Sequence, residues 1–187
     1  EARILGTRMP SRPMLGRIGY MPQAEALYPE LSVAENLGFF ARLEGSVSRD
    51  AIDRVLGLVE LGERRGTPAM HLSGGMRRRL SLACTLVHQP PVLFLDEPTV
   101  GLDPALRVQF WAHFRRLAAA GTTILVASHV MDEADRCDEL LFMRSGIVIA
   151  HGTSTELRAR AGTTDLEAAF LYYAGLDGEG RPLGSAP

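Results

Sequence analysis

Lysine is absent from this 187-residue chain; all 20 of its basic residues are arginine. That absence excludes any chemistry centred on a lysine of this chain. Schiff-base catalysis is ruled out, and so is the G-x-x-x-x-G-K-S/T phosphate loop, whose lysine reaches the β- and γ-phosphates of a nucleotide. A GC-rich coding bias toward arginine is the plainer source of the pattern and is compatible with both exclusions. Cysteine is scarce as well. Cys84 and Cys137 stand far apart, each inside an apolar pattern and with no signal peptide ahead of them, which predicts two core thiols in a reduced cytosolic setting. No run approaches the roughly 18 apolar residues of a membrane span, so the chain is not expected to cross a bilayer by itself, although it can sit against one. A basic surplus is lacking too. The net charge of -2 gives no general hold on nucleic acid by counterion release, leaving only a local patch at Arg77, Arg78 and Arg79. Nucleic acid is therefore not an expected partner.

What is present is an apolar fraction of 46%, enough for a real core in one domain, or one domain with a subdomain. "EARILG" and "RIGYMPQ" are short β-favouring segments with turn signals between them. Residues Ser32 to Glu44 open with Ser32 and Glu35 in the S-x-x-E spacing of a capping box. A second helix is predicted from Ser48 to Leu61 and a third from Ser73, so residues 32–89 read as an all-helical block set between strands. Val92 to Leu95 form a continuous apolar run, the pattern of a strand buried on both faces of a parallel sheet. Asp103 and Pro104 cap and open a helix through Ala120, with Leu106, Phe110, Phe114 and Leu117 on its buried side and Gly121 ending it. "TTILVAS" predicts another buried strand, followed by a short helix at Met131 to Asp135. "ELLFM" and "GIVIAHG" predict two strands joined at Ser145 and Gly146. "TDLEAAFLYYAG" predicts a last helix before a frayed tail rich in Gly and Pro. The alternation of strand and helix predicts an α/β domain with right-handed crossovers.

The stretch "HLSGGMRRRLSLA", residues 71–83, raises the central question. Met76, Leu80, Ala83, Cys84 and Val87 recur at helical spacing, so a helix begins at Ser73, a good N-cap. Two glycines in its first turn cost about 1 kcal/mol each relative to alanine. Either a loop simply ends in a cap here, or the glycines let an anion such as phosphate approach the amides at the positive end of the helix dipole. Asp96 and Glu97 follow the apolar run directly, at the carboxyl end of a strand, where open parallel sheets bind ligands. They form either an acidic loop capped by Pro98 or a site in which Asp96 holds magnesium and Glu97 acts as general base on an attacking water. His129 follows the next strand in the same way; it is a loop residue, or a group that donates to a γ-phosphate oxygen or positions water. Gln23 ends the first strand region, and its amide can accept from water or ligate Mg²⁺. Each signal is weak alone. Their order is informative: Gln23, then Ser73, Gly74 and Gly75, then Asp96 and Glu97, then Asp103, then His129, each at a strand end or helix start.

This ordered set resembles the nucleotide-binding domain of ATP-binding cassette (ABC) transporters, from about Glu1 to Gly175. "LSGGM" is similar to the family's signature motif, "LFLDEP" to its Walker B, "GLDP" to its D-loop, "SH" to its switch histidine and Gln23 to its Q-loop glutamine. The resemblance implies a P-loop NTPase (RecA-like) α/β core with an inserted helical subdomain at about 32–89. The partial ATPase domain would cover 1–164, and a C-terminal helix and tail 165–187. Its implied ligands are ATP and Mg²⁺, with Glu97, His129 and Gln23 catalytic, Ser73, Gly74, Gly75 and Asp103 at the nucleotide, and Asp96 and Gln23 at the metal. It implies too that Ser73, Gly74 and Gly75 contact the γ-phosphate of ATP held by a second cassette in a head-to-tail dimer. Gln23 and the helical block would then face a transmembrane permease, placing the protein in the cytoplasm against the inner face of the cell membrane.

Two departures from the family pattern stand out. Met76 replaces the glutamine that usually ends the signature, a variant associated with ABC-2-type exporters, including drug-resistance cassettes; "MRRRL" and "LEAAFLYY" look similar to that group. In the family, the Walker A loop and an aromatic residue that stacks on adenine lie upstream of the position where this chain begins. The expectation is an N-terminally truncated cassette that binds ATP weakly and does not turn it over alone. Two other classes fit some of the motifs. A soluble ABC protein acting on nucleic acid or ribosomes usually carries two cassettes or long coiled-coil arms, neither of which is visible. A degenerate binding or regulatory module that never hydrolyses ATP is opposed by the intact Glu97 and His129 and favoured by the missing loop. A phosphate loop in frame upstream of Glu1 would separate a fragment from the degenerate module.

Overall fold

Short polar side chains cap six of the eight α-helices among the described residues. In the computed structural model, which describes residues 1–43 and 48–181, the chain divides into two units, Glu1–Ala127 and Ser128–Pro187. The first unit opens with an antiparallel ribbon of β1 (Arg3–Ile4) and β2 (Thr7–Arg8), then a single helical turn, α1 (Arg12–Leu15), and β3 (Ile18–Met21). The helical block follows as α2 (Val33–Leu43), α3 (Arg49–Leu58) and α4 (Gly74–Leu86). The Ser32–Glu35 capping box forms as expected: the Glu35 amide donates to Ser32 Oγ at 3.2 Å, and the Ser32 amide donates to Glu35 Oε2 at 2.8 Å. The Ser32 hydroxyl, which donates to Glu35 Oε2 at 2.6 Å, and the Ser32 amide together hold the Glu35 carboxyl below its ordinary pKa. Ser48 caps α3, which stops at Leu58 rather than Leu61 because Glu60 takes a positive φ of 54°. Two 3-10 turns, Gly62–Arg64 and Ala69–His71, fill a stretch that shows no helical periodicity. The expected end of the first helix at Glu44, and the tail from residue 182, lie outside the described residues.

Helix α4 is the pivot of this unit. Its sequence suggests one apolar face, yet every residue from Leu80 to Val87 is buried, because the helix packs against β3 and against both α2 and α3. The polar Thr85 is accommodated by donating from Oγ1 to the Ser81 carbonyl at 3.0 Å. Gly19 of β3 permits this close packing: a Cβ there would lie 2.6 Å from Leu93 Cδ2 and 2.8 Å from the Thr85 carbonyl oxygen.

Strands β3, β4 (Val92–Asp96) and β5 (Thr123–Ala127) form a parallel sheet with β4 in the middle, Met21 opposite Leu95 and Asp96 opposite Ala127. Val92, Leu93 and Leu95 are buried, as their unbroken apolar run predicts. The expectation of a second buried strand fails for "TTILVAS". Leu125 is 52% exposed and exposure alternates along β5, the pattern of a strand covered on one face; in this sheet β5 pairs with β4 alone. Helix α5 (Pro104–Ala119) connects β4 to β5 and packs against β5. Leu106, Phe110 and Phe114 are buried as expected, but Trp111 is the fourth buried residue and Leu117 is half-exposed.

The second unit contains α6 (Met131–Ala134), the antiparallel pair β6 (Leu140–Arg144) and β7 (Ile147–Gly152), α7 (Ser154–Ala161) and α8 (Leu166–Ala174). The hairpin turns at Ser145 and Gly146, both with positive φ, as a two-residue type I′ connection requires. Helix α7 has little amphipathic pattern but a complete Thr153–Glu156 capping box. Leu140, Phe142, Leu157, Leu166 and Ala169 make the core, and Cys137 packs against it half-buried rather than inside it.

Candidate nucleotide-binding site

The carboxyl ends of β3 and β4 lie side by side in the parallel sheet, which sets Pro22 and Gln23 next to Asp96 and Glu97. Gln23 is exposed; Asp96 and Glu97 are half-buried. The Glu97 amide donates to the Ala127 carbonyl at 2.9 Å, extending the β4–β5 ladder one residue past Asp96. Glu97 itself has φ +51°, the left-handed region, where a side chain costs on the order of 1–3 kcal/mol and persists only if its surroundings fix it. Part of that fixing comes from α4: the buried Arg78 guanidinium donates to the carbonyls of Gln23 at 2.8 Å and Glu97 at 2.5 Å. Burial lowers the Arg78 pKa, and the carboxylates of Asp96, Glu25 and Glu97 oppose the shift.

The first turn of α4 combines both readings of its glycines. Ser73 Oγ accepts from the Met76 amide at 3.3 Å, so it is a true cap. A Cβ on Gly75 would stand 3.3 Å from the Gly101 carbonyl oxygen, so close approach of the loop after β4 calls for glycine there. Gly74 has no such neighbour: its Cβ would meet nothing closer than Arg77 Nη2 at 3.9 Å. Among the described residues no close neighbour explains glycine at 74, and its position at the amino end of a 13-residue helix suits an anion. Asp103 Oδ1 accepts from the Leu106 amide at 3.0 Å and caps α5.

The first unit thus brings together Gln23, Asp96 and Glu97, and sets Gly75 of the α4 terminus against Gly101, two residues before Asp103. His129 belongs to the second unit, two residues past Ala127, where it is exposed. The segment around it is anchored by Ser128, whose Oγ donates to the buried Glu133 carboxylate at 3.0 Å and accepts from the Val130 amide at 3.1 Å. No three His, Cys, Asp or Glu side chains converge as a metal site among the described residues. Mg²⁺ in a phosphate site rarely needs them: one or two protein oxygens complete a shell made mostly of phosphate and water, and Asp96 with the Gln23 carbonyl are donors of that kind.

Two residues that organise this site carry no motif. Arg78 is one. Three consecutive arginines suggest a solvated patch, but successive helical residues point about 100° apart, so one of the three must face inward on a buried helix. Arg77 pairs with Glu25 at 2.6 Å, and Arg79 donates to the Val59 carbonyl at 3.0 Å, so the three arginines, which the sequence allowed as a local basic patch, act as internal ties. Asn36 is the other. Fully buried in α2, it accepts from the Tyr28 amide and donates to the carbonyls of Tyr28, Leu31 and Ser32, fixing the loop that leads from Gln23 into the helices. Residues of β3, α2 and α4 line an apolar groove of about 280 Å³ that includes Ile18, Tyr20, Phe40 and Cys84. No helix among the described residues is long and apolar enough to cross a membrane.

Comparison with known proteins gives a consistent answer. Residues 3–100 match the family described as ABC transporter. The chain is 45% identical over 145 residues to the Nod factor export ATP-binding protein I of Ralstonia nicotianae, covering 75% of this chain and 45% of that protein. It is 43% identical over 150 residues to the daunorubicin resistance ATP-binding protein DrrA3 of Streptomyces coeruleorubidus, covering 78% and 46%. With the probable multidrug ABC transporter ATP-binding protein YbhF of Escherichia coli it shares 38% identity over 162 residues, covering 82% and 28%. The chain therefore spans less than half the length of these relatives. A solved structure of an ATP binding subunit of an ABC transporter superposes with a TM-score of 0.81 at 27% identity, covering 90% of this chain and 74% of the other.

Proposed function

This chain belongs to the ABC transporter family, with the α/β P-loop NTPase fold of its ATP-binding subunits, and from that premise we propose that it serves ATP hydrolysis in an exporter. The observation that carries the proposal is Glu97, held in a left-handed conformation at the carboxyl end of the central strand, beside Asp96 and Gln23. Phosphoryl transfer to water depends on positioning and charge stabilisation rather than covalent chemistry by the protein. In this reading the Glu97 carboxylate takes the proton of the attacking water. Asp96 and the side-chain carbonyl of Gln23 would hold Mg²⁺, which would neutralise charge on the phosphate oxygens. His129 donates to a γ-phosphate oxygen, and Asp103 lies at the nucleotide from its place at the start of α5.

The Ser73 hydroxyl and the amides of Gly74 and Gly75 donate to the γ-phosphate of ATP held by a second copy; the missing packing reason for Gly74 supports this. The apolar groove between the helical block and β3, together with the Gln23 loop, suits a transmembrane permease, which would hold the protein at the inner face of the cell membrane. The ATPase domain would extend to residue 164. The relatives' names, which refer to Nod factor, daunorubicin and multidrug, support export as the direction.

Because residues 1–187 contain no lysine, they lack the cation that the family's phosphate loop places on the β- and γ-phosphates. By themselves they are expected to bind ATP weakly and not turn it over. The test uses the gene product expressed from its complete reading frame. It should release phosphate from Mg·ATP, and Glu97→Gln should slow release by about 10²–10⁴-fold, the usual worth of a general base, while retaining nucleotide. Turnover in the glutamine variant equal to wild type removes Glu97 from the role.

A further inference from the structure

Among the described residues, Arg78 is the one buried charged residue of the first unit, with 7% of its surface exposed. Where β3 and β4 leave the sheet, their carbonyls lose ladder partners and need donors from elsewhere. Arg78 supplies them from one side chain. Its Nη1 donates to Pro22 O at 3.1 Å and Gln23 O at 2.8 Å, and its Nη2 to Asp96 O and Glu97 O, both at 2.5 Å. We propose that Arg78 is a positioning residue that locks the Gln23 loop and the strained Glu97 backbone to the helix carrying Ser73, Gly74 and Gly75.

Four carbonyls on two adjacent strand ends are bound by the two arms of one planar fork. A lysine ammonium, with three donors at a single point, cannot span them. Bonds from a cation are about twice as strong as neutral ones, and here they end on the residues proposed to hold the metal and to act as base. The carbonyl of Glu97 is among them, so the left-handed φ of +51° is fixed from both sides: its amide by Ala127 and its carbonyl by Arg78. Arg78 lies five residues after Ser73 on the same continuous helix, a rise of about 7.5 Å. Any displacement of the amino end of α4, when a phosphate meets Ser73 and its glycines, therefore reaches Gln23 and Glu97 through one rigid side chain. This inference rests on the reading of Glu97 as general base.

The experiment uses Arg78→Lys and Arg78→Met in the complete gene product, with Glu97→Gln as reference. The hydrogen bonds of Arg78 all end on backbone carbonyls, so both variants should lower kcat about 10- to 100-fold, the scale of a misplacement of roughly 1 Å in a catalytic group, with KM for ATP little changed. A second readout needs no turnover. Amide hydrogen exchange should quicken at residues 23–27, at Glu97 and at residues 99–101 in both variants, while residues 80–86 keep wild-type protection. Full activity in either variant overturns the proposal, since a point charge or an apolar filler would then suffice. Exchange that is unchanged, or that quickens uniformly through α4, overturns it as well, because Arg78 would then be only part of the packing. Failure of the Glu97 reading is separable: it appears as wild-type turnover in Glu97→Gln and leaves the exchange result untouched.

Discussion

Asn36→Asp replaces one NH₂ group by oxygen in a side chain with no exposed surface, and it should destabilise the first unit more than Asn36→Ala does. The wild-type amide donates to the carbonyls of Tyr28 at 3.1 Å, Leu31 at 3.0 Å and Ser32 at 3.1 Å, and accepts from the Tyr28 amide at 2.9 Å. All three carbonyls have a second donor: Leu31 N serves Tyr28 O, Ala69 N serves Leu31 O, and Asn36 N serves Ser32 O. Truncation to alanine therefore orphans chiefly the Tyr28 amide, at a cost of about 1–3 kcal/mol. Aspartate keeps that bond but turns a carboxylate oxygen toward three carbonyl oxygens, which should cost about 3–5 kcal/mol, as for other uncompensated buried charges. The same repulsion and burial raise the folded-state pKa of the introduced carboxyl above its unfolded value of about 3.9. A group with a raised pKa stabilises below the unfolded value and loses that contribution as pH rises through the folded one. The deficit of the aspartate variant should thus shrink between pH 7 and pH 5, while that of the alanine variant stays constant. Urea unfolding of the three proteins at both pH values, followed by tryptophan fluorescence, measures this. An aspartate variant as stable as wild type at pH 7, or one whose deficit grows toward pH 5, would refute the reasoning.

Gly74→Ala should raise the urea midpoint, since alanine gains up to about 1 kcal/mol in a helix and its Cβ meets nothing closer than 3.9 Å, yet lower ATP turnover; unchanged turnover means no phosphate approaches there. Cys84, whose thiol is pushed well above its ordinary pKa by burial, should resist a thiol reagent at pH 8 in the native protein and react fully in urea; rapid native labelling, located by peptide mapping, contradicts its burial. Asp135 accepts from Arg158 Nη1 with both oxygens at 2.8 Å and is held below its ordinary pKa by that bond. A depressed pKa stabilises above the unfolded value of 3.8 and is lost as pH falls through the folded one. The destabilisation by Asp135→Asn, under about 1 kcal/mol for so exposed a pair, should therefore be present at pH 7 and fade toward pH 3; a loss that persists at pH 3 assigns it to packing.

Helix starts, the central strand and the hairpin turn were legible in the sequence because each rests on local chemistry. Ser32 with Glu35, Asp103 with Pro104, and Ser145 with Gly146 specify their geometry within four residues. What escaped depends on partners distant in sequence. Nothing near Leu125 says that, among the described residues, β5 pairs with β4 alone, and an apolar run reads the same at an edge as at the centre. Helix α4 shows an amphipathic pattern, but the sheet and two helices bury it beyond that face, which is also why Arg78 points inward. Asn36 has no spacing signature; its partners are defined only once the loop from residue 28 to 32 folds over it. The candidate site was readable as an order of residues at strand ends. The left-handed backbone of Glu97 and the guanidinium that holds it were not.

The claim that most needs testing is that the carboxylates at the end of β4 and the bare amino end of α4 serve one nucleotide from two copies of the protein. Sedimentation of the complete gene product carrying Glu97→Gln tests it, with and without Mg·ATP, beside the same protein carrying Ser73→Arg in addition. The expected result is a monomer without ATP, a dimer with ATP in the single variant, and a monomer under both conditions in the double variant. A single variant that stays monomeric with bound ATP, or a double variant that still dimerises with it, contradicts the claim.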